Sequence, residues 1–129
     1  MTRIPPALRA AALIVAAGAL AACVPQTSLP DDCDAAAVSR QATLVEERME
    51  PAALEVCRDQ EVTITFTIQR DAVLHIHGYD DQAPAREVRS GETVELTLDT
   101  VRSGQFPIAI HTTDGPAEAT AGTLVVHEP

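Results

Sequence analysis

The chain has 129 residues, enough for one small domain, with 19 acidic residues against 9 basic ones and a formal net charge of −10. So acidic a surface disfavours nucleic acid and anionic headgroups as partners, and it attracts cations or a basic protein. An acidic exterior that simply keeps the domain soluble fits the same numbers.

The N-terminus reads as a processing signal. "MTRIPPALRA" supplies Arg3 and Arg9 and no acid, and "AALIVAAGALAA" (11–22) adds an apolar run too short to cross a bilayer as a helix. The run ends in "LAAC" (20–23), which resembles a bacterial lipobox. That resemblance implies a lipoprotein signal peptide over residues 1–22, a diacylglycerol on the Cys23 sulfur and cleavage just before it. The competing reading is an ordinary secretory signal cut nearby, with Cys23 free or disulfide-bonded. Acyl chains contribute roughly 0.8 kcal/mol per buried methylene, so several chains on Cys23 anchor a protein stably to the lipid membrane. The expected location is therefore outside the cytoplasm, tethered to the bacterial membrane on its periplasmic or cell-surface side.

"VPQTSLPDDCDAAA" (24–37) reads as a polar, flexible tether after Cys23, leaving 38–129 as the domain. Cys33 and Cys57 remain as a pair, and an oxidising compartment favours a disulfide between them. A bridge across that separation stabilises by roughly 3 kcal/mol in the chain-entropy model. Two free thiols or a soft-metal site are the alternatives, and no cysteine or histidine close in sequence supports the latter.

"VSRQATLVEERMEPAAL" starts either as a short helix or as a first strand over Thr43–Met49 that ends at Pro51. From Leu54 the pattern is β. Val62, Ile64, Phe66 and Ile68 alternate with Thr63, Thr65 and Thr67. "DAVLHIHGY" follows, then a polar loop over 80–86. Val94, Leu96 and Leu98 alternate next, then Phe106, Ile108 and Ile110. "TTDGPAEATAG" (112–122) reads as a loop before a closing strand, "TLVVHEP". Short strands between turn residues predict an all-β, antiparallel β-sandwich with an aliphatic core. No nucleophile stands beside a base, no carboxylates pair in a recognisable motif, and no Gly-rich phosphate loop is present. The expectation is that the protein is not an enzyme.

"EVTITFTIQRDAVLHIHGYD", "VRSGETVELTLDT", "SGQFPIAIH" and "GTLVVHEP" together resemble the cupredoxin family, from about Leu54 to Pro129. The likeness is greatest to the cupredoxin-like domains of small bacterial exported lipoproteins and of periplasmic iron-uptake proteins. It implies a Greek-key β-sandwich. Blue-copper cupredoxins hold copper through a mid-chain His, a Cys closing the Gly-x-aromatic strand, and a His and often a Met on the next loop. Here His75 or His77 takes the first place. Ile110 stands at the cysteine position with His111 beside it, and 112–122 contains no His, Met or Cys. Without the sulfur there is no copper–thiolate bond, which excludes blue-copper electron transfer.

An all-nitrogen metal site is left. Strand residues i and i+2 share a face, so His75 and His77 can converge on one ion. The cupredoxin resemblance implies that the strand ending at His111 runs near the His75 strand. Three imidazoles suit Cu(II) and can also hold Zn(II). Asp71 and Asp80 can supply an oxygen or orient an imidazole. Against this, Leu74, Ile76, Phe106, Ile108 and Ile110 claim the core face. The histidines are then outside, where they can be solvated or paired with Asp71, Asp80 or backbone carbonyls and bind nothing. Tyr79 reads as a packed aromatic with its hydroxyl at the rim, Gly78 as a turn residue and His127 as an exposed strand residue. Two readings stay open: a membrane-anchored module binding Cu(II) or another divalent ion, and a metal-free accessory domain for an envelope protein partner.

Overall fold

Alternation of apolar and polar residues decides most strands. In the computed structural model, which describes residues 28–112 and 117–129, nine strands form among the described residues and no helix does. They are β1 (Ala37–Val45), β2 (Arg48–Glu50), β3 (Ala53–Cys57), β4 (Glu61–Ile68), β5 (Ala72–Ile76), β6 (Arg86–Val88), β7 (Thr93–Asp99), β8 (Gly104–His111) and β9 (Glu118–His127). The expected signal peptide, Cys23 and the start of the tether lie outside the described residues.

One sheet has the order β2-β1-β4-β7 and the other β3-β9-β8-β5-β6. The chain passes between the sheets after β2, β3, β4, β6 and β7, a Greek-key path that closes a sandwich. Val62, Ile64, Phe66 and Ile68 of β4 point inward and are fully buried, facing Leu74, Ile76, Ile108, Ile110 and Leu124 of the second sheet. Phe106, expected in the core, is half-buried against its rim.

The all-β sandwich stands, but it is mixed rather than purely antiparallel. β1 pairs with β4, and β3 with β9, in parallel. The ambiguous segment 38–53 is strand: Val38, Ala42 and Leu44 bury on one face with a period of two, which no helix would give. The expected loop over 112–122 is shorter, because β9 begins at Glu118.

Residues 31–36, placed in the tether by the sequence reading, fold onto the sandwich. Asp32 takes a two-pronged contact from Arg40 at 2.8 and 2.9 Å, and Cys33 is disulfide-bonded to Cys57 at the end of β3. The Asp32 carboxyl is held below its ordinary value, chiefly by the Arg40 hydrogen bond. Buried Gln60 donates to the Asp32 and Ala35 carbonyls at 2.7 and 2.9 Å and accepts from the Cys57 amide. Buried Thr100 donates to the Cys57 carbonyl at 2.7 Å. These bonds satisfy the polar groups that close this end of the sandwich.

Candidate metal centre

β5 and β8 run antiparallel with Val73 opposite His111 and His75 opposite Ala109. Leu74, Ile76, Ile108 and Ile110 take the core face, so His75 and His111 share the outer face as diagonal neighbours within mutual reach. Ala109 offers only a methyl opposite His75, and the imidazole leans toward His111. The two rings stack with centroids 5.2 Å apart and planes 17° from parallel.

His77 follows β5 on the same face, its amide donating to the Pro107 carbonyl at 2.9 Å. Its ring meets His75 edge-on at 4.3 Å. His75 was expected on the outer face, either meeting His111, solvated or paired; it is on that face and buried, because His77 and His111 flank its ring.

The residue that sequence reasoning missed is Glu118. β9 pairs with β8 through a register shift at Ile108/Ala109: Ile108 faces Gly122, Ala109 faces Thr120, and Ala121 is the extra residue. Such a bulge changes which alternate residues face the core. It turns Ala119 onto the core and sets Glu118 opposite His111 on the outer face. Gly122 inside an otherwise strand-like run was the available signal, since an isolated Gly in a strand marks a bulge or a close approach.

The donor atoms converge. His75 Nε2 and His111 Nε2 stand 3.1 Å apart, and Glu118 Oε2 is 3.1 Å from His111 Nε2 and 3.8 Å from His75 Nε2. The point equidistant from three such corners, in their plane, lies about 2.0 Å from each. That is the bond length of imidazole nitrogen and carboxylate oxygen to a divalent first-row ion. The residues present therefore fit such an ion. Glu118 Oε1 accepts from His77 Nε2 at 2.5 Å. That hydrogen bond is the main cause holding the Glu118 carboxyl below its ordinary value; burial opposes it, and positive charge on the three imidazoles adds to it.

Asp80 stands behind His75, with Oδ1 3.8 Å from Nδ1, while its Oδ2 accepts from the Gly78 amide at 3.1 Å. Asp71 does not join the cluster. Its carboxylate accepts from the Ser90 amide at 2.8 Å, tying the start of β5 to the turn before β7. A surface cleft of about 290 Å³ lined by Asp71, Glu87, Val88 and Arg89 lies there and shares no residue with the histidines. His127 is not the exposed residue expected: it is half-buried, 3.9 Å from Glu55 Oε1.

In the turn that follows His77, Tyr79 is buried edge-on to Phe106 at 4.8 Å, with its hydroxyl donating to the Arg102 carbonyl at 3.4 Å. Arg102 lies over both rings and donates to the Gly78 carbonyl, bracing the turn that carries His77 and Asp80. No sulfur reaches the site among the described residues. Ile110 is in the core, Cys33 and Cys57 are bonded to each other, and Met49 is buried against Gly122.

The two-sheet arrangement is the cupredoxin-like fold, and comparison with solved structures shows it. The blue copper oxidase of Nitrosomonas europaea superposes with a TM-score of 0.55 at 12% identity, over 71% of this chain and 39% of the oxidase. Auracyanin A, a blue copper protein from Chloroflexus aurantiacus, matches at 0.52 and 18% identity over 70% of this chain and 99% of its own. A copper binding protein solved in the apo form matches at 0.50 and 13% identity, over 71% and 89%. The chain spans about two fifths of the oxidase's length, whereas it matches the small copper proteins over most of theirs. No protein-family model and no curated protein matches the sequence.

Proposed function

We propose that this protein is a membrane-anchored, cupredoxin-like module that binds one divalent metal ion, Cu(II) foremost, at the cluster of His75, His77, His111 and Glu118. The observation that carries this reading is the convergence of two imidazole nitrogens and one carboxylate oxygen at separations that fit a common ion. Nitrogen and oxygen donors without thiolate or thioether favour Cu(II) or Zn(II) over Cu(I), and they form no copper–thiolate bond. The acidic exterior draws cations toward the face. Asp80 behind Nδ1 of His75 favours the tautomer whose Nε2 lone pair points into the cluster. The role that follows is capture or delivery of the ion at the cell envelope, without turnover of a substrate. The anchor rests on "LAAC" and Cys23.

A metal-free accessory domain for an envelope protein is the second reading. It is favoured by the way the three imidazoles and Glu118 already satisfy one another by hydrogen bonds.

Calorimetric titration with Cu(II) and electron paramagnetic resonance separate the two. One ion per chain in a nitrogen-rich, non-blue spectrum supports the module. Weak binding without stoichiometry supports the accessory domain. Replacing Cys23 by Ser should move the protein from the membrane fraction to the soluble one; unchanged membrane association would remove the anchor.

A further inference from the structure

We infer that His77 is a positioning residue which holds the Glu118 carboxylate, and that the ion itself takes only His75, His111 and Glu118 from the cluster. This rests on the metal-binding reading above and divides the labour within it. His77 Nε2 lies 2.5 Å from Glu118 Oε1, whereas the other carboxylate oxygen, Oε2, faces the His75–His111 pair. Two donors on neighbouring corners of a first-row ion stand about 2.8 Å apart at right angles, and further apart in a tetrahedron. The His77–Glu118 separation is shorter than either. So close an approach is a hydrogen bond to a carboxylate oxygen, which can only accept, so Nε2 carries the proton and has no lone pair to offer the ion.

The His75 side chain is 10% exposed and flanked on both sides, while those of His111, Glu118 and His77, at 32%, 39% and 41%, form the rim of the cluster. A carboxylate at the end of a rotatable side chain needs a hydrogen bond to hold one orientation, and Glu118 is the first residue of β9. The His77 hydrogen bond supplies that restraint, so Oε2 is directed at the two imidazoles. The Pro107 carbonyl in turn fixes the His77 backbone. Removing a group that orients a metal ligand typically weakens binding 10- to 100-fold, less than removing the ligand.

The test uses Cu(II) titration together with pulsed paramagnetic resonance, which counts coordinated imidazoles through their remote nitrogens. Two imidazoles are expected in the unmodified protein and still two in His77→Ala, whose affinity falls 10- to 100-fold. His77→Gln, whose amide N–H reaches Oε1 from the same distance along the side chain, should recover most of that loss. His75→Ala should leave one imidazole. Three imidazoles in the unmodified protein, falling to two in both His77 variants, would overturn the assignment while leaving the metal-binding reading intact. So would an unchanged affinity in His77→Ala. If the unmodified protein takes up no stoichiometric Cu(II), the metal-binding reading fails, and this division with it. Thermal unfolding of each variant shows that the loss is not one of fold.

Discussion

His111 and Glu118 lie opposite each other on β8 and β9, and the extra residue at Ala121 is what puts both on the outer face. Were β9 regular through residue 121, Ala119 would face His111 and Glu118 would turn toward the core. The bulge thus exchanges the roles of two adjacent side chains.

Exchanging the two residues by Glu118→Ala with Ala119→Glu tests this directly. Composition is unchanged, but the carboxylate now points at the core, against which Ala119 packs. Cu(II) affinity should fall at least 100-fold. Stability should fall by more than about 2 kcal/mol, the cost of a buried polar group without a partner. Calorimetric titration and denaturant unfolding read the two effects. A double variant as stable as the parent would mean that β9 slips to accommodate it.

Among the sequence candidates, the structure separates Asp71 from the histidines. His75→Ala, His111→Ala and Glu118→Ala should each lower Cu(II) affinity by 100-fold or more, since each removes a donor from a set of three. Asp71→Asn should leave affinity within threefold. Its carboxylate serves the Ser90 amide, so the change registers as a loss of roughly 1 kcal/mol of stability. Metal titration of the four variants distinguishes the groups, and a large affinity loss in Asp71→Asn would contradict the placement.

The sandwich was legible because β4, β5 and β8 carry a period of two, and burial enforces it at Val62, Ile64, Phe66, Leu74, Ile108 and Ile110. The parallel pairing of β1 with β4 was not, because alternation fixes which face is buried but not the direction of the neighbour. At the site, His75 and His77 were legible from their spacing, and His111 through the cupredoxin resemblance. The burial of His75 depends on two flanking rings, one of them on another strand, and spacing along one strand does not reveal that. Glu118 was hidden by the bulge. Asp71 looked equivalent to Asp80 in sequence, but the fold sets Asp80 behind His75 and turns Asp71 to the Ser90 amide.

The turn after His77 is held from below, and Gly78 is where that support leaves no room. Its φ is 84°, and an added Cβ would stand 2.7 Å from Phe106 Cδ1. Gly78→Ala therefore combines a left-handed backbone with overpacking against a ring, and should destabilise by about 2–3 kcal/mol. Relief by lifting the turn moves His77 and Asp80, so Cu(II) affinity should fall as well. Thermal unfolding and metal titration on the same sample check both. A variant that keeps stability and affinity would show that Phe106 yields at little cost.

Tyr79 is the only tyrosine, which makes it a clean reporter of the same support. Burial pushes its hydroxyl above the ordinary value of 10.0, while the hydrogen bond and positive charge of Arg102 oppose that shift. A group whose folded pKa is raised contributes stability that is complete below the unfolded value and is lost as pH rises through the folded one. The domain should keep full stability up to about pH 10 as far as Tyr79 is concerned, then weaken above it as the phenolate becomes favoured in the unfolded chain. Phenolate absorbance followed with circular dichroism across that range should show ionisation arriving late and together with unfolding. Tyr79→Phe loses one hydrogen bond to the Arg102 carbonyl, about 1 kcal/mol at neutral pH. It should nevertheless decline less steeply than the parent above pH 10. Ionisation centred on 10.0 in a domain that stays folded would show that water reaches the hydroxyl, and that the packing of Tyr79 against Phe106 and Arg102 is open.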